Sequence, residues 1–411
     1  MSNCVIARIG RVRKSNQMKK ILFVEDNEVL LQLYAMMLST DRGWAVTTAP
    51  DGQAAVALLR QQAFDVVASD MQMPGMSGIQ LLAEVRKLHP QTSRIIISGI
   101  TDQAEAADSL NSTHLFIPKP FDVKVLKAAL ARIISLDAYL QNDKLRGLAG
   151  KMRSLPSFPL LYLEIMREIE SPNSSIQGIA KIVAQDPGIT AKILQVANSA
   201  AIGLPEKVHD PVEAVQQLGM TTVRSLALSA QVYASFAPGR LKNFSADTLW
   251  THLMKCSELA RAVMRREHSA FPDCEDAFTA GMLHDMGKLM LADSLPDEFQ
   301  KAFMLAGAEK IPLAEAELEV FGATHTGLAA YLFGLWGLPA AIVEAVAFHQ
   351  TPEKSEVKHF SALTAVHVAN ALADESDAAG LNLDYLNEIG VADRLDDWRE
   401  TAEELQAEQF A

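Results

Sequence analysis

Four short runs of β-branched and apolar residues, Ile21 to Val24, Val66 to Ala68, Ile95 to Ile97 and Leu115 to Ile117, alternate with helical stretches early in the chain. Alternation of this kind builds a parallel sheet, since each helix carries the chain back to start the next strand in the same direction. Each run is followed closely by polar residues: Glu25-Asp26, Asp70, Ser98 and Lys119. Ligands of such a sheet bind outside the carboxyl ends of the strands, so positions far apart in sequence converge there. The pattern predicts a pocket for a phosphoryl group.

Each residue type suits that chemistry. Glu25 and Asp26 offer the hard oxygen ligands that Mg²⁺ prefers while it keeps some of its waters. Asp70 is the candidate nucleophile, because a carboxylate forms an acyl phosphate when a metal neutralises the accumulating charge. Ser98 can donate a hydroxyl hydrogen bond to the new phosphoryl group, and Lys119 can pair with it as a point charge.

The segments Phe23-Val24-Glu25-Asp26-Asn27, Ser69 to Gly78, Ile97-Ser98-Gly99 and Pro118-Lys119-Pro120-Phe121 resemble the receiver domain of bacterial two-component response regulators. The resemblance implies a flavodoxin-like domain with a five-stranded parallel sheet over residues 19–137. It also implies that Asp70 accepts a phosphoryl group from a sensor histidine kinase, and that Glu25, Asp26, Asp70 and the carbonyl of Gln72 hold Mg²⁺. Ser98 and Phe116 would be the hydroxyl and aromatic switch positions, with Lys119 contacting the phosphate. Phosphorylation would draw Ser98 inward and open space for Phe116 to turn.

Composition agrees with a signalling protein of two or three domains. The three cysteines, Cys4, Cys256 and Cys274, are odd in number and irregularly spaced, which argues for a reducing, cytoplasmic compartment. No apolar run reaches the roughly 18 residues of a membrane span, so no membrane association is expected. Residues 1–18 read as a basic disordered tail or as the product of a mis-assigned start, since Met18 directly precedes the first strand. A net charge of −13 disfavours nucleic acid as a partner. Residues 374–411 carry twelve acids against two bases and read as an acidic, solvated tail, within which Leu381, Leu383, Leu386 and Ile389 could form a short amphipathic helix.

Leu126, Leu130, Ile133, Leu136, Leu140 and Leu145 recur at helical spacing, which extends the last receiver helix into a linker over 138–154. That stripe either packs on its own domain or continues outward, where it could transmit a change of packing; a homodimer through the receiver or the linker helix stays open. From 155 to 373 the pattern is helix after helix, punctuated by Pro, Gly and Asn. This predicts an all-α domain.

Two groups of its histidines can be told apart. His209, His268 and His359 read as ordinary surface or core residues. His252, His284 beside Asp285, His325 and His349 could gather a divalent metal from facing helices. On one continuous helix His284 and Asp285 would point about 100° apart, which places a shared metal over the edge between them.

The segments Asp186 to Leu194, Ala197 to Ala200, Ala214 to Gly219, His284 to Leu289, Trp336 to Pro339 and Phe348-His349 resemble the HDOD domain, a signalling relative of the HD phosphohydrolases, across Leu155 to Leu372. In catalytic HD enzymes a histidine, a His-Asp pair and a later aspartate hold the metal whose water attacks a phosphoester. His252, His284 and Asp285 match that pattern, whereas Asn370 stands where the later aspartate is expected. The relatives that cleave cyclic di-GMP carry a two-histidine pair and a Gly-Tyr-Pro segment; here the pair reads His349-Gln350 and that segment is missing.

Two functions follow. In the first, the HDOD domain is a non-catalytic interaction module for an unknown downstream signalling protein, switched by Asp70. In the second, it is a phosphohydrolase for a cyclic dinucleotide or other nucleotide, using Mn, Fe or Zn at a vestigial site of His252, His284, Asp285, His325, His349 and Asn370, with Lys288 binding substrate phosphate.

Overall fold

A computed structural model describes residues 18–38, 43–98, 160–198, 207–236, 244–373 and 380–408, with scattered positions between 113 and 148. The chain divides into two compact units. One comprises Met1–Phe158 with Glu315–Thr324 and Tyr331–Leu338; the other comprises Pro159–Ala314, His325–Ala330 and Pro339–Ala411.

The first unit holds the expected sheet. Its strands are β1 (Lys19–Val24), β2 (Trp44–Ala49), β3 (Val66–Asp70), β4 (Ser93–Ser98) and β5 (Leu115–Pro118). All pairings are parallel, in the order β2-β1-β3-β4-β5. β2 has no counterpart among the four apolar runs of the sequence. It lies at the sheet edge, and most of its residues are only half-buried. Edge strands need no continuous apolar run, which explains why it is faint in sequence. Ile21, Leu22, Phe23, Val24, Val66, Val67, Ile95, Ile96 and Ile97 are fully buried and form the centre.

Helices α1 (Glu28–Leu38), α2 (Gly52–Gln61) and α3 (Gly78–Leu88) connect these strands. α2 begins where Asp51 accepts from the Ala54 N–H at 2.7 Å. α3 begins with a reciprocal cap, in which Ser77 accepts from the Gln80 N–H while the Gln80 side chain accepts from the Ser77 N–H.

The helical unit starts with α4 (Leu160–Glu170), α5 (Ile176–Val183), α6 (Pro187–Ala197), α7 (Pro211–Leu218) and α8 (Met220–Ala234). Asp186-Pro187 and Asp210-Pro211 open α6 and α7. In each pair the aspartate caps two backbone N–H groups and the proline occupies a first-turn position that needs no donor. The centre is α9 (Ala246–Arg266), packed against α10 (Phe271–Leu283) and α16 (Ala362–Ala373). Between these last two run α11 (Met286–Ser294), α12 (Pro296–Glu309), α13 (Leu313–Phe321), α14 (His325–Trp336) and α15 (Ala340–Phe348). α14 is apolar nearly all round, as a helix buried on every side must be.

Two expectations change. The described residues 380–408 are not a solvated tail. They include α17 (Leu383–Glu388) and α18 (Leu395–Glu408), and α18 packs on α9. Trp398 is fully buried there, and its indole N–H donates to Glu267 at 2.9 Å, as does Arg394. A few well-placed apolar residues outweigh the surrounding acids, of which Glu400 is paired with Arg266. Finally, His284 and Asp285 do not share one helix. They form the turn between α10 and α11.

Most of the proposed linker helix and the whole of residues 1–17 lie outside the described residues. Among the described residues, no helix is long and apolar enough to cross a membrane.

Candidate functional site

Adjacent parallel strands β1 and β3 bring two of the sequence-predicted positions together. Glu25 follows the end of β1 and Asp70 closes β3. One carboxylate oxygen each from Glu25, Asp26 and Asp70 lies within 4.8 Å of the others, with Glu25 and Asp70 buried and Asp26 exposed. Lys119, just past β5, reaches across with its Nζ 2.8 Å from Asp70 Oδ1 and 3.1 Å from Glu25 Oε2. Burial pushes the Glu25 carboxyl up from its ordinary value, and the Lys119 contact only partly offsets it. Burial also disfavours charge on Lys119, but its bonds to Asp70 and Glu25 prevail and hold its pKa above that of a free lysine.

Asp70 is fixed by its surroundings. The Met71 N–H donates to its Oδ1 at 2.9 Å, and the Ser69 hydroxyl donates to its carbonyl at 2.8 Å. Gly78 shows why the turn before α3 needs glycine. A Cβ there would sit 2.0 Å from the Asp70 carbonyl oxygen, so the helix start could not approach the strand. Gln72 is exposed beside Asp70. Ser98 ends β4 and pairs in register with Pro118, and Phe116 lies within β5; the side chains of both fall outside the described residues.

In the helical unit a second constellation forms. His252 comes from α9, His284 and Asp285 from the α10–α11 turn, His325 from the start of α14, His349 from the end of α15 and Asn370 from α16. Asn370 Oδ1 lies 3.0 Å from His252 Nε2 and 3.2 Å from His284 Nε2. Asp285 lies 3.1 Å from His325 Nε2 and 3.6 Å from the Nε2 atoms of both His284 and His349. Lys288 is ion-paired with Asp285.

Proton positions in this cluster are constrained. Burial, with His349 and His252 close by, lowers His284 to about 3, although Asp285 opposes this; the imidazole is therefore neutral and carries one proton. Its Nδ1 lies 2.7 Å from the Gly281 carbonyl, which can only accept, so the proton is on Nδ1 and the Nε2 lone pair points into the cluster. His349, also lowered by burial, repeats the arrangement with Nδ1 at 3.1 Å from the Val346 carbonyl. Its Nε2 is buried and has no hydrogen-bond partner. Burial by itself would raise Asp285, but Lys288 and His284 outweigh it and hold the carboxyl well below its ordinary range. Nε2 lone pairs thus face carboxylate and amide oxygens. A group of acceptors so arranged fits a bound cation, so the residues present are compatible with a metal.

Two glycines make the geometry reachable. A Cβ on Gly281 would meet the Ser257 Cα at 2.5 Å, and one on Gly287 would meet the His325 carbonyl at 2.0 Å. The first lets α10 close on α9; the second seats α11 against the first turn of α14. His209, His268 and His359, set apart as ordinary residues, are all exposed. Cys256 escaped the sequence reading. It lies one turn beyond His252 on α9, fully buried, with Sγ 3.4 Å from His252 Nε2. Its spacing of four from His252 was the available signal.

The response regulator receiver domain family matches residues 21–131, and the HDOD domain family matches residues 155–352. An uncharacterized protein of Treponema pallidum is 22% identical over 240 residues, which is 57% of this chain and 45% of that protein. A response regulator receiver protein of Anaeromyxobacter is 35% identical over 107 residues, 26% of this chain and 44% of that protein. The chain thus spans less than half the length of these two relatives. A crystal structure of a Shewanella amazonensis protein, 21% identical, covers 66% of this chain and 97% of its own, with a TM-score of 0.52; this likeness is one of fold. The chain therefore carries a response regulator receiver domain followed by an HDOD domain.

Proposed function

We propose that this protein is a phosphorylation switch in which Asp70 takes a phosphoryl group from a sensor histidine kinase and the HDOD domain binds a downstream protein without catalysing a reaction. The observation that carries the first half is Lys119 bridging Asp70 and Glu25 at the carboxyl edge of the sheet. Mg²⁺, held by Glu25, Asp26, Asp70 and the Gln72 carbonyl, supplies neutralising charge when bound. An Asp70 carboxylate oxygen forms the new O–P bond as the N–P bond of the donor phosphohistidine breaks, and the released imidazole nitrogen takes up a proton. Lys119 then exchanges its contact with Asp70 Oδ1 for one with a phosphoryl oxygen. Ser98 and Phe116 report the change to the surface. The setting of this chemistry is the bacterial cytoplasm.

Acetyl phosphate with Mg²⁺ should label the wild type and leave Asp70→Asn unlabelled. Equal labelling of both would refute the role of Asp70. Affinity capture with the phosphorylated protein and with Asp70→Asn should then return different partners, and an identical set from both would sink the switch.

The cluster of His252, His284 and Asp285 supports a second reading, a metal-dependent phosphohydrolase. Against it stands Asn370, whose neutral oxygen occupies the place of an anionic ligand. Hydrolysis of a cyclic dinucleotide with Mn²⁺ present, lost in His284→Ala, would favour that reading over the interaction module.

A further inference from the structure

The cluster in the helical unit is short of negative charge. Asp285, its one carboxylate among the residues described above, is neutralised by Lys288, and Asn370 and the histidines bring none. Cys256 is the remaining group that can supply it. We propose that Cys256, as a thiolate, joins His252, His284 and the Asn370 side-chain oxygen as a ligand in a closed site for Zn²⁺.

The distances suit such a site. One donor atom each from His252, Cys256 and His284 lies within 4.8 Å of the others. Sγ of Cys256 lies beside the His252 ring, 3.4 Å from Nε2 and 3.9 Å from Nδ1, so a turn of the imidazole aims Nε2 and Sγ at one ion. Asn370 Oδ1, at 3.0 Å and 3.2 Å from the two Nε2 atoms, closes a further face. A second observation is independent of the cysteine. His349 Nε2 is fully buried, makes no hydrogen bond, and lies 3.6 Å from Asp285 Oδ1. The Nδ1–H of His284 is already committed to the Gly281 carbonyl, the outer bond that orients a metal-binding imidazole.

Softness follows from the substitution. Exchange of a carboxylate position for Asn370 removes a hard anionic oxygen, and Cys256 restores the charge as a soft sulfur. Such a set favours Zn²⁺ over Mg²⁺ or Mn²⁺. Four protein ligands fill a tetrahedral zinc, so the metal ties α9, the α10–α11 turn and α16 together instead of activating a nucleophile. On binding, the Cys256 S–H bond is replaced by an S–Zn bond and the proton leaves to solvent.

Co²⁺ titration of the metal-free full-length chain, with a thiol-free reductant present, tests this. The expected result is one Co²⁺ bound with a near-ultraviolet sulfur-to-cobalt charge-transfer band, and displacement by Zn²⁺. Cys256→Ser should lose the band, and its Zn²⁺ affinity should fall by at least the roughly 10- to 100-fold that follows loss of a ligand's outer hydrogen bond. Cys4→Ser/Cys274→Ser should keep the band, which assigns it to Cys256 even where Cys256→Ser does not fold. Absence of metal binding, cobalt bound without the band, or loss of the band in Cys4→Ser/Cys274→Ser would each overturn the proposal. None of these results bears on labelling of Asp70, so the switch and the metal site stand or fall separately.

Discussion

Single residues decide how tightly the two constellations are held. Gly287 is one. A methyl group 2.0 Å from the His325 carbonyl would force α11 away from α14 and pull Asp285 from His325. Gly287→Ala should therefore cost on the order of 1–3 kcal/mol in unfolding experiments. It should also shift the His325 imidazole resonances, and an unshifted spectrum with wild-type stability would contradict the close approach. Glu258 on α9 offers a second test. Burial pushes its carboxyl up to about 7, against only partial opposition from Arg261, and its Oε1 has no hydrogen-bond partner. A carboxyl raised in the folded state binds its proton there more tightly than in the unfolded chain. Stability is then lost as pH rises from about 4.5 through 7. Relative to wild type, Glu258→Gln should gain stability across that window, reaching on the order of 3 kcal/mol at pH 8. A difference that stays constant with pH would refute the raised carboxyl.

Elements behave less uniformly than their sequence patterns suggest. α9 is an uninterrupted amphipathic helix over Ala246–Arg266, as its apolar spacing predicts. The stretch from Glu275 to Ala292 looks equally continuous in sequence, yet it breaks at His284-Asp285, where Asp285 leaves helical geometry with φ −108° and ψ 6°. Nothing in local propensity requires that break; the packing of Gly287 on α14 does. The C-terminal segment shows the opposite error. Its acids mask α18, although Trp398 and Leu395 anchor it. Trp398→Ala should destabilise the helical unit by about 3–5 kcal/mol, as large cavities in cores do. Urea unfolding with an unchanged midpoint would return the segment to a solvated tail.

Over the whole molecule, charge limits partners. At −13 the chain repels a phosphate backbone, and no duplex DNA retardation is expected even at low ionic strength, where electrostatic binding is strongest. A retarded band that weakens with salt would overturn this. What sequence determined by itself was the receiver: each candidate site position follows its own apolar run, and a parallel sheet necessarily collects strand ends at one edge. Most of the histidine cluster was legible as residue types, but its arrangement was not. His252, Cys256, His284, Asp285, His349 and Asn370 come from four separate parts of the helical unit, and a helix bundle, unlike a parallel sheet, has no topological rule that brings given positions together. Only tertiary packing, through Gly281 against Ser257 and Gly287 against His325, brought Asn370 to His252 and His284 and set His325 against Asp285, because close approach of helices depends on contacts that no local pattern records.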